Sequence, residues 1–278
     1  MVIGLLLAHS TMSKASDIAY LAFDKNYWQV FVMDEEGSHH RAVSNSLYDK
    51  SSLSWYPDGK HLLINGIQGK LAKLSVATGE EDIIKLPVSG FFDAVLSPDG
   101  KRIAFSYGTA DNQDGNHIWV VNSDGSKLKQ LTHMQWLQHE PRWSPDGLWI
   151  YFLSGDGGQA HDVWRVDPKS NQLEQITVGQ LYNFDVAVAD KGKMIVSSNR
   201  SDNYELWLHD RTKPLQQLTN NPRLDGSPSL SSDNSTVVFN SNRNGGLNIW
   251  KLDLRSLKLQ QLTQHKNGAR KPVWRLTQ

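Results

Sequence analysis

A set of polar residues recurs along the chain at nearly equal spacing. Each member stands three residues before a larger residue of a repeated motif, and the intervals between members are 41, 47, 45, 42 and 44. The members are Ser52, Asp93, Glu140, Asp185, Ser227 and Lys271. If the repeats surround an axis, these side chains meet at a channel mouth, beside His139, Asp225 and Arg270. Such a mouth could bind a cation, a sugar acid or a charged segment of a partner. Alternatively, its side chains could form hydrogen bonds only with the ends of the inner strands and with trapped water.

Several enzyme classes are poorly matched by these residues. The chain has no cysteine, which excludes disulfides, thiolate metal sites and cysteine nucleophiles. It also lacks the G-x-S-x-G nucleophile elbow of hydrolases. His139 is the only histidine at a predicted mouth position, which is weak support for a histidine-ligated metal. Residues 111–116 read DNQDGN but lack the alternation and terminal glutamate of an EF-hand. We therefore expect no cofactor, although a cation such as calcium would be compatible with the channel.

Net charge and the N-terminal segment bear on partners and compartment. The 278 residues include 29 Lys plus Arg and 29 Asp plus Glu, which gives no general attraction to nucleic acid or to an anionic membrane. Residues 2–8 form an apolar run, far shorter than the ~20 residues of a membrane span. Ser13-Lys14-Ala15 follows with small residues suited to cleavage. We interpret residues 1–16 as an export signal or leader, which predicts a periplasmic protein. The alternatives are a first strand and the trimmed end of a membrane anchor.

The repeated motif is a β-hairpin. Residues 141–154 read PRWSPDGLWIYFLS, in which Pro-Asp-Gly suits a tight turn between aromatic and β-branched stretches. The phrase returns as SWYPDGKHLLIN from Ser54, as LSPDGKRIAFSY from Leu96, and twice more in weaker form. Downstream, pairs such as Ile118-Trp119 mark a third strand, and segments such as LKQLT mark a fourth. Four strands repeated with a period in the forties are typical of a propeller blade.

The two ends of the repeat array complement each other. The first repeat, from Asp17, lacks an inner strand, while residues 270–278 read RKPVWRLTQ and match an inner strand with nothing after it. We expect the C-terminal strand to join the N-terminal blade and close a ring, which removes exposed sheet edges. The prediction is an all-β, six-bladed β-propeller with four antiparallel strands per blade, formed by residues 17–278 as one monomeric domain.

The motif PxWSPDGxxIxF, followed by IW and QLT, resembles the propeller repeats of the TolB family, periplasmic proteins of the bacterial Tol envelope system. The resemblance covers about residues 17–278. It implies a non-catalytic scaffold that docks a protein partner, such as an envelope lipoprotein, at the channel mouth. TolB proteins carry an α/β domain before the propeller, whereas here some sixteen residues precede the first strand. Related propellers imply two alternatives: a channel enzyme of lyase or lactonase type acting on a sugar acid, and a periplasmic sensor domain of a membrane-anchored regulator.

Loop lengths indicate which end of the channel binds the partner. Tight turns lie at one end, whereas the longer connections between blades, and between strands two and three, lie at the other. Trp28 and Trp136 fall in these longer segments, where aromatic rings beside charges are typical of interface centres. We expect alanine at Trp136 or Glu140 to leave stability nearly unchanged. The predicted partner-binding face comprises Trp28, Asp93, Trp136, His139, Glu140, Asp185, Asp225, Arg270 and Lys271.

Overall fold

The computed structural model describes residues 18–109, 115–155, 161–178 and 182–275. In these ranges, 24 β-strands form six four-stranded antiparallel sheets, each of which is one blade. None of the helical segments in them has the length and apolar character needed to cross a membrane. The predicted all-β, six-bladed propeller is confirmed, whereas the predicted leader, residues 1–16, lies outside the described residues.

The blades follow the chain, except that the last strand belongs to the first blade. Blade 1 contains β1 (Ile18–Asp24), β2 (Tyr27–Met33), β3 (Arg41–Ala42) and β24 (Ala269–Trp274). Blade 2 contains β4 (Lys50–Trp55), β5 (His61–Gly66), β6 (Leu71–Ser75) and β7 (Glu81–Ile83). Blade 3 contains β8 (Phe92–Leu96), β9 (Arg102–Tyr107), β10 (His117–Asn122) and β11 (Lys129–Gln130). Blade 4 contains β12 (Gln138–Trp143), β13 (Ile150–Gly155), β14 (His161–Val166) and β15 (Leu173–Gln175). Blade 5 contains β16 (Asn183–Val188), β17 (Met194–Ser198), β18 (Glu205–His209) and β19 (Gln216–Gln217). Blade 6 contains β20 (Asp225–Leu230), β21 (Thr236–Ser241), β22 (Asn248–Asp253) and β23 (Leu259–Gln261). Single 3₁₀ turns span Ile67–Gly69 and Asp190–Gly192.

Blade 1 joins the two ends of the chain. Its inner strand β24 pairs antiparallel with β1, so that Ile18 stands opposite Trp274 and Ala19 opposite Val273. Trp274 is only 9% exposed and belongs to an apolar cluster with Ile18 that extends into blade 6. Similar clusters fill the spaces between other neighbouring blades. The predicted closure of the ring by the C-terminal strand is therefore confirmed.

The threonine that ends each QLT-like segment links the third and fourth strands of its blade. Thr132 Oγ1 accepts a hydrogen bond of 2.9 Å from the Ile118 N–H and donates one to Gln138. Equivalent bonds of 2.8–2.9 Å run from the N–H groups of Val163, Leu206 and Ile249 to Thr177, Thr219 and Thr263. Because the outer strands are only two or three residues long, the hydroxyl supplies a link that the short ladder cannot make.

The two ends of the channel differ in their loops. At one end, the turn face, short turns join strands one to two and three to four. After β12, for example, Gly147 has a φ of 68°, and the Asp146 carboxylate accepts hydrogen bonds from the Ser144 hydroxyl and the Leu148 N–H. The other end, the long-loop face, carries the connections between blades and between strands two and three.

Candidate functional site

Each inner strand is irregular where it passes the predicted ring position. In all six blades, the pairing of the inner strand with the second strand shifts register at or beside this point, as in a β-bulge. The backbone φ is 56° at Asp93, 51° at Glu140, 49° at Ser227 and 52° at Lys271. These left-handed values are unfavourable for side chains other than glycine, so the surrounding sheet must hold them. The bulges are what re-aim the ring side chains into the channel.

Glu140 and Lys271 form an ion pair across the channel. Lys271 Nζ lies 2.7 Å from Glu140 Oε1, and Arg142 Nη2 lies 2.5 Å from Glu140 Oε2. Asp185 Oδ1 lies 3.6 Å from both cationic groups, while its Oδ2 accepts hydrogen bonds from the Ser227 backbone and hydroxyl. Blades 1 and 4 stand opposite each other in a ring of six. The pair between Lys271 and Glu140 therefore spans the width of the channel.

Asp93 completes this group, which we call the channel cluster: Asp93, Glu140, Arg142, Asp185 and Lys271. Burial and the charge of Glu140 raise the pKa of Asp93 to about 6, although the Glu140 N–H donates a hydrogen bond to its carboxylate. Burial also opposes ionisation of Glu140, but the charges of Lys271 and Arg142 outweigh it and hold the pKa of Glu140 well below its usual range. Burial raises the pKa of Asp185 as well. Glu140 thus stays ionised, while Asp93 titrates in the mildly acidic range.

The structure brings four of the predicted acidic and basic ring residues together, but the prediction missed Arg142. This residue stands one position before the repeat residue Trp143. The equivalent residues in the other blades are Ser54, Val95, Ala187, Ser229 and Val273. A basic residue at an otherwise small or apolar position was the available signal. Because Glu140 binds both Arg142 and Lys271, alanine at position 140 would leave two largely buried cations without their carboxylate. These ion pairs lead us to replace the expectation of nearly unchanged stability by a prediction that the substitution destabilises the protein.

Trp28 lies in a strand, not in a long loop as predicted. β1 and β2 are joined by the two-residue turn Lys25-Asn26, with φ values of 48° and 73°, so Trp28 is the second residue of β2. The Arg270 guanidinium lies 3.9 Å from the Trp28 ring centroid, and the Phe23 ring packs edge-on against it at 5.6 Å. Trp28 and Arg270 therefore pack together at the long-loop end of blade 1.

Asp225 and His139 occupy different environments. Asp225 is fully buried within blade 6, where its Oδ2 lies 2.7 Å from Arg243 Nη2 and 2.9 Å from Asn221 Nδ2. It therefore ties loops of blade 6 together and does not line the predicted mouth. His139 Nε2 lies 3.3 Å from His161 Nδ1, and burial lowers the pKa of His139 to about 4. His139 is consequently neutral near pH 7.

The long-loop face carries most of the exposed large apolar side chains. Among the described residues, seven of twelve such side chains lie there: Leu47, Ile67, Phe92, Trp136, Leu137, Val178 and Phe184. Phe92 and Phe184 are 54% and 45% exposed and directly precede the ring residues Asp93 and Asp185. His139 and Arg270 hold the equivalent position in their blades. We call these four residues, Phe92, His139, Phe184 and Arg270, the outer rim. The sequence analysis identified His139 and Arg270 but missed the two phenylalanines, although each stands one residue before a ring position and could have been found by that spacing. Trp136 is exposed as expected, at 42%.

The described residues show no clustered metal ligands. No three His, Cys, Asp or Glu side chains among them are placed to hold a metal ion. Of the calcium-like stretch, residues 111–114 lie outside the described residues. The channel carboxylates Glu140 and Asp185 instead have the side chains of Arg142 and Lys271 as their neighbouring cations.

Comparison with known proteins agrees with this architecture. A family model described as the TolB beta propeller domain matches residues 68–277. The chain belongs to the TolB β-propeller family. The Tol-Pal system protein TolB of Nitratidesulfovibrio vulgaris is 27% identical over 138 residues, which are 49% of this chain and 31% of that protein. The TolB of Anaeromyxobacter dehalogenans (strain 2CP-C) is 26% identical over 132 residues, which are 46% of this chain and 30% of that protein. The alignments thus span about a third of these relatives' length.

The crystal structure of TolB from Acinetobacter baumannii has the same fold as this TolB-type propeller. It superposes with a TM-score of 0.81 at 22% identity, and the match covers 93% of this chain and 66% of that chain. At this identity the likeness establishes the architecture alone. Function must be argued from the surfaces of the propeller described above.

Proposed function

We propose that this chain is a non-catalytic, protein-binding propeller of the bacterial envelope, located in the periplasm, and that its partner docks on the long-loop face. Membership of the TolB propeller family supports the envelope role. The observation that carries the proposal is the concentration of exposed apolar side chains on this face. Phe92, Trp136 and Phe184 come from blade 3, the connection to blade 4, and blade 5, so they border one sector of the mouth.

The physical cost of this arrangement points to a partner. A large apolar side chain left half in water forgoes part of the ~1.5–3 kcal/mol that full burial contributes. Four of the twelve exposed large apolar side chains of the described residues lie in or directly after the turns of the turn face: Leu148, Leu173, Leu257 and Leu259. Aromatic anchors surrounded by polar groups are common among the residues that dominate binding energy. The buried charges beneath the mouth would exclude a purely apolar insertion and favour a polar tip on the partner.

The enzyme and sensor hypotheses lack a comparable observation. The charged side chains of the channel bind each other across it, and burial keeps His139 neutral. A sugar acid would have to compete with Glu140 for Arg142 and Lys271. Turnover of sugar acids or lactones by the purified protein would nevertheless favour the enzyme hypothesis, and a membrane anchor upstream in the gene would favour the sensor.

Capture of the partner from an envelope extract tests the docking face. The wild-type protein should retain a protein that can be identified by mass spectrometry and then titrated in purified form. The double variant Phe92→Ala, Phe184→Ala and the single variant Trp136→Ala should each weaken that titrated binding by at least ~30-fold if these residues are hot spots. Leu148→Ala is the matched control, because Leu148 is 52% exposed on the turn face. Loss of binding in Leu148→Ala alone would place the partner at the opposite end.

The location is tested separately. N-terminal sequencing of the native protein should find a chain that begins near Ser16 in the periplasmic fraction. Recovery of an intact Met1 terminus from the cytosol would contradict the periplasmic assignment, but would leave the docking face to be judged by the binding measurements.

A further inference from the structure

A cavity lies on the turn-face side of the channel cluster. It has a volume of about 200 Å³ and is lined by residues of all six inner strands. A wider basin of about 580 Å³ lies at the turn face, and Pro98, Pro145, Val188 and Leu230 line both spaces. The two spaces therefore adjoin each other. The channel cluster spans the channel at the inner end of the cavity, and the basin lies at its turn-face end.

The walls of this cavity are largely apolar. Tryptophans from three blades line it together with the prolines of three tight turns: Trp55, Trp143, Trp274, Pro57, Pro98 and Pro145. Leu96, Val188 and Leu230 occupy the repeat position in the remaining blades. Flat, rigid side chains of this kind suit a planar apolar body, and a mostly apolar cavity with a few convergent polar groups is typical of small-molecule sites.

The floor of the cavity provides hydrogen-bond donors. Arg142 and Lys271 are among the lining residues, whereas Asp93, Glu140 and Asp185 are not. In the described part of the chain, Lys271 Nζ makes one hydrogen bond, although an ammonium group has three donors. The side chains of Arg142 and Lys271 keep 26% and 23% of their surface accessible. Ser52 Oγ, also in the lining, is buried without a hydrogen-bond partner among the described residues.

We propose that this cavity binds a small, flat, mostly apolar molecule whose leading end is a neutral carbonyl group. The charge count selects the neutral end. Glu140 is ionised and already pairs with both Arg142 and Lys271, so an anionic end would have to displace its carboxylate from these two cations. A cationic end would meet Arg142 and Lys271 directly. A carbonyl oxygen accepts hydrogen bonds from these charged donors and leaves the balance unchanged.

Three fluorescent probes with a common body test this assignment: the dimethylaminonaphthalene ketone Prodan, the parent dimethylaminonaphthalene, and the corresponding naphthoate. Each is titrated into the full purified chain. The ketone should bind saturably and at least ~10-fold more tightly than the other two, since hydrogen bonds to charged donors are the stronger ones. Equal affinity of the ketone and the parent would refute the claim that Arg142 and Lys271 donate hydrogen bonds to the carbonyl group. Tighter binding of the naphthoate than of the ketone would refute the preference for a neutral leading end. Non-saturable binding of all three probes would refute the proposal that the cavity is a binding site.

Substitutions locate the binding. Lys271→Met should reduce the preference for the ketone to below ~3-fold without weakening the parent, because it removes a donor but keeps an apolar wall. Val188→Trp should abolish binding of the ketone and of the parent, because Val188 lines both the cavity and the basin and the larger side chain would fill the space between them. This variant keeps the test decisive if Lys271→Met fails to fold. Trp136→Ala, on the long-loop face, should leave all three affinities unchanged. Wild-type affinities in Val188→Trp would place the probes outside this cavity.

Discussion

Replacing Glu140 by alanine should destabilise the protein, because Glu140 is the only carboxylate within hydrogen-bond distance of both Arg142 and Lys271 among the described residues. Removing one partner of a buried ion pair costs about 3–5 kcal/mol. Glu140 keeps 12% of its side-chain surface accessible, and its partners keep 26% and 23%, so water screens part of this effect. We therefore expect a loss of about 2–3 kcal/mol. For a chain of this length that corresponds to a melting temperature lower by about 4–12 °C.

Thermal unfolding followed by circular dichroism measures this loss. Glu80→Ala is the matched control, since Glu80 is exposed and, within the described part of the chain, its carboxylate accepts a hydrogen bond only from the Thr78 hydroxyl. It should change stability by less than ~0.5 kcal/mol. A double-mutant cycle between Glu140→Ala and Lys271→Ala should give a coupling energy of at least ~1 kcal/mol, because the two residues are in contact. If Glu140→Ala melts within ~1 °C of the wild type, the channel cluster does not stabilise the fold and the reasoning fails.

Three further perturbations test the closure, the electrostatics and the strand links. Deleting residues 271–278 removes Trp274 and most of β24, so it should cost at least ~3–5 kcal/mol in thermal unfolding, and an unchanged melting temperature would contradict the closure. Because the pKa of Asp93 is raised to about 6 in the folded state, its contribution to stability is greatest at acidic pH and is lost as pH rises from about 4 to about 6. Asp93→Asn should therefore be more stable than the wild type at pH 7.5, by up to ~3 kcal/mol, and the difference should vanish near pH 4 in denaturant titrations; a constant difference would refute the assignment. Thr219→Val should cost about 1–2 kcal/mol and accelerate hydrogen exchange of the Leu206 amide, whereas Thr78→Val, in an exposed turn, should do neither.

The repeat spacing predicted the fold and part of the site for the same reason. Once the hairpin phrase is aligned, every position at a fixed offset from the repeat residue lies at the same height in the channel. That is why Asp93, Glu140, Asp185 and Lys271 could be placed together from the sequence. Arg142 was not predicted because it stands one residue, and not three, before its repeat residue Trp143. Its long side chain nevertheless reaches Glu140, two residues earlier in the chain.

Local backbone geometry set the limits of the prediction. Trp28 was misplaced because the turn before it has two residues, a length that the average repeat does not reveal. Asp225 lies five residues before the repeat residue Leu230. No regularity of spacing indicates that its carboxylate forms an ion pair with Arg243 inside blade 6. From the sequence, Phe92 and Phe184 are apolar residues within predicted strands and would be expected to be buried. Their exposure depends on the bulge beside them, which no alternation of apolar and polar residues encodes.

The closing strand β24 links the architecture to the proposed function. It completes blade 1 by pairing with β1, and at Lys271 it also carries the ammonium group that meets Glu140 of blade 4 across the channel. Closure of the ring and closure of the channel therefore depend on the same strand. Because these ion pairs cross the channel beneath the long-loop face, we expect a partner there to bind through rim residues such as Phe92, Trp136 and Phe184 and not by threading through the propeller. On the other side of these ion pairs, Arg142 and Lys271 present their remaining donors to the turn-face cavity. One group of five charged side chains thus separates two surfaces with different chemistry, which can be tested independently by Trp136→Ala and Val188→Trp.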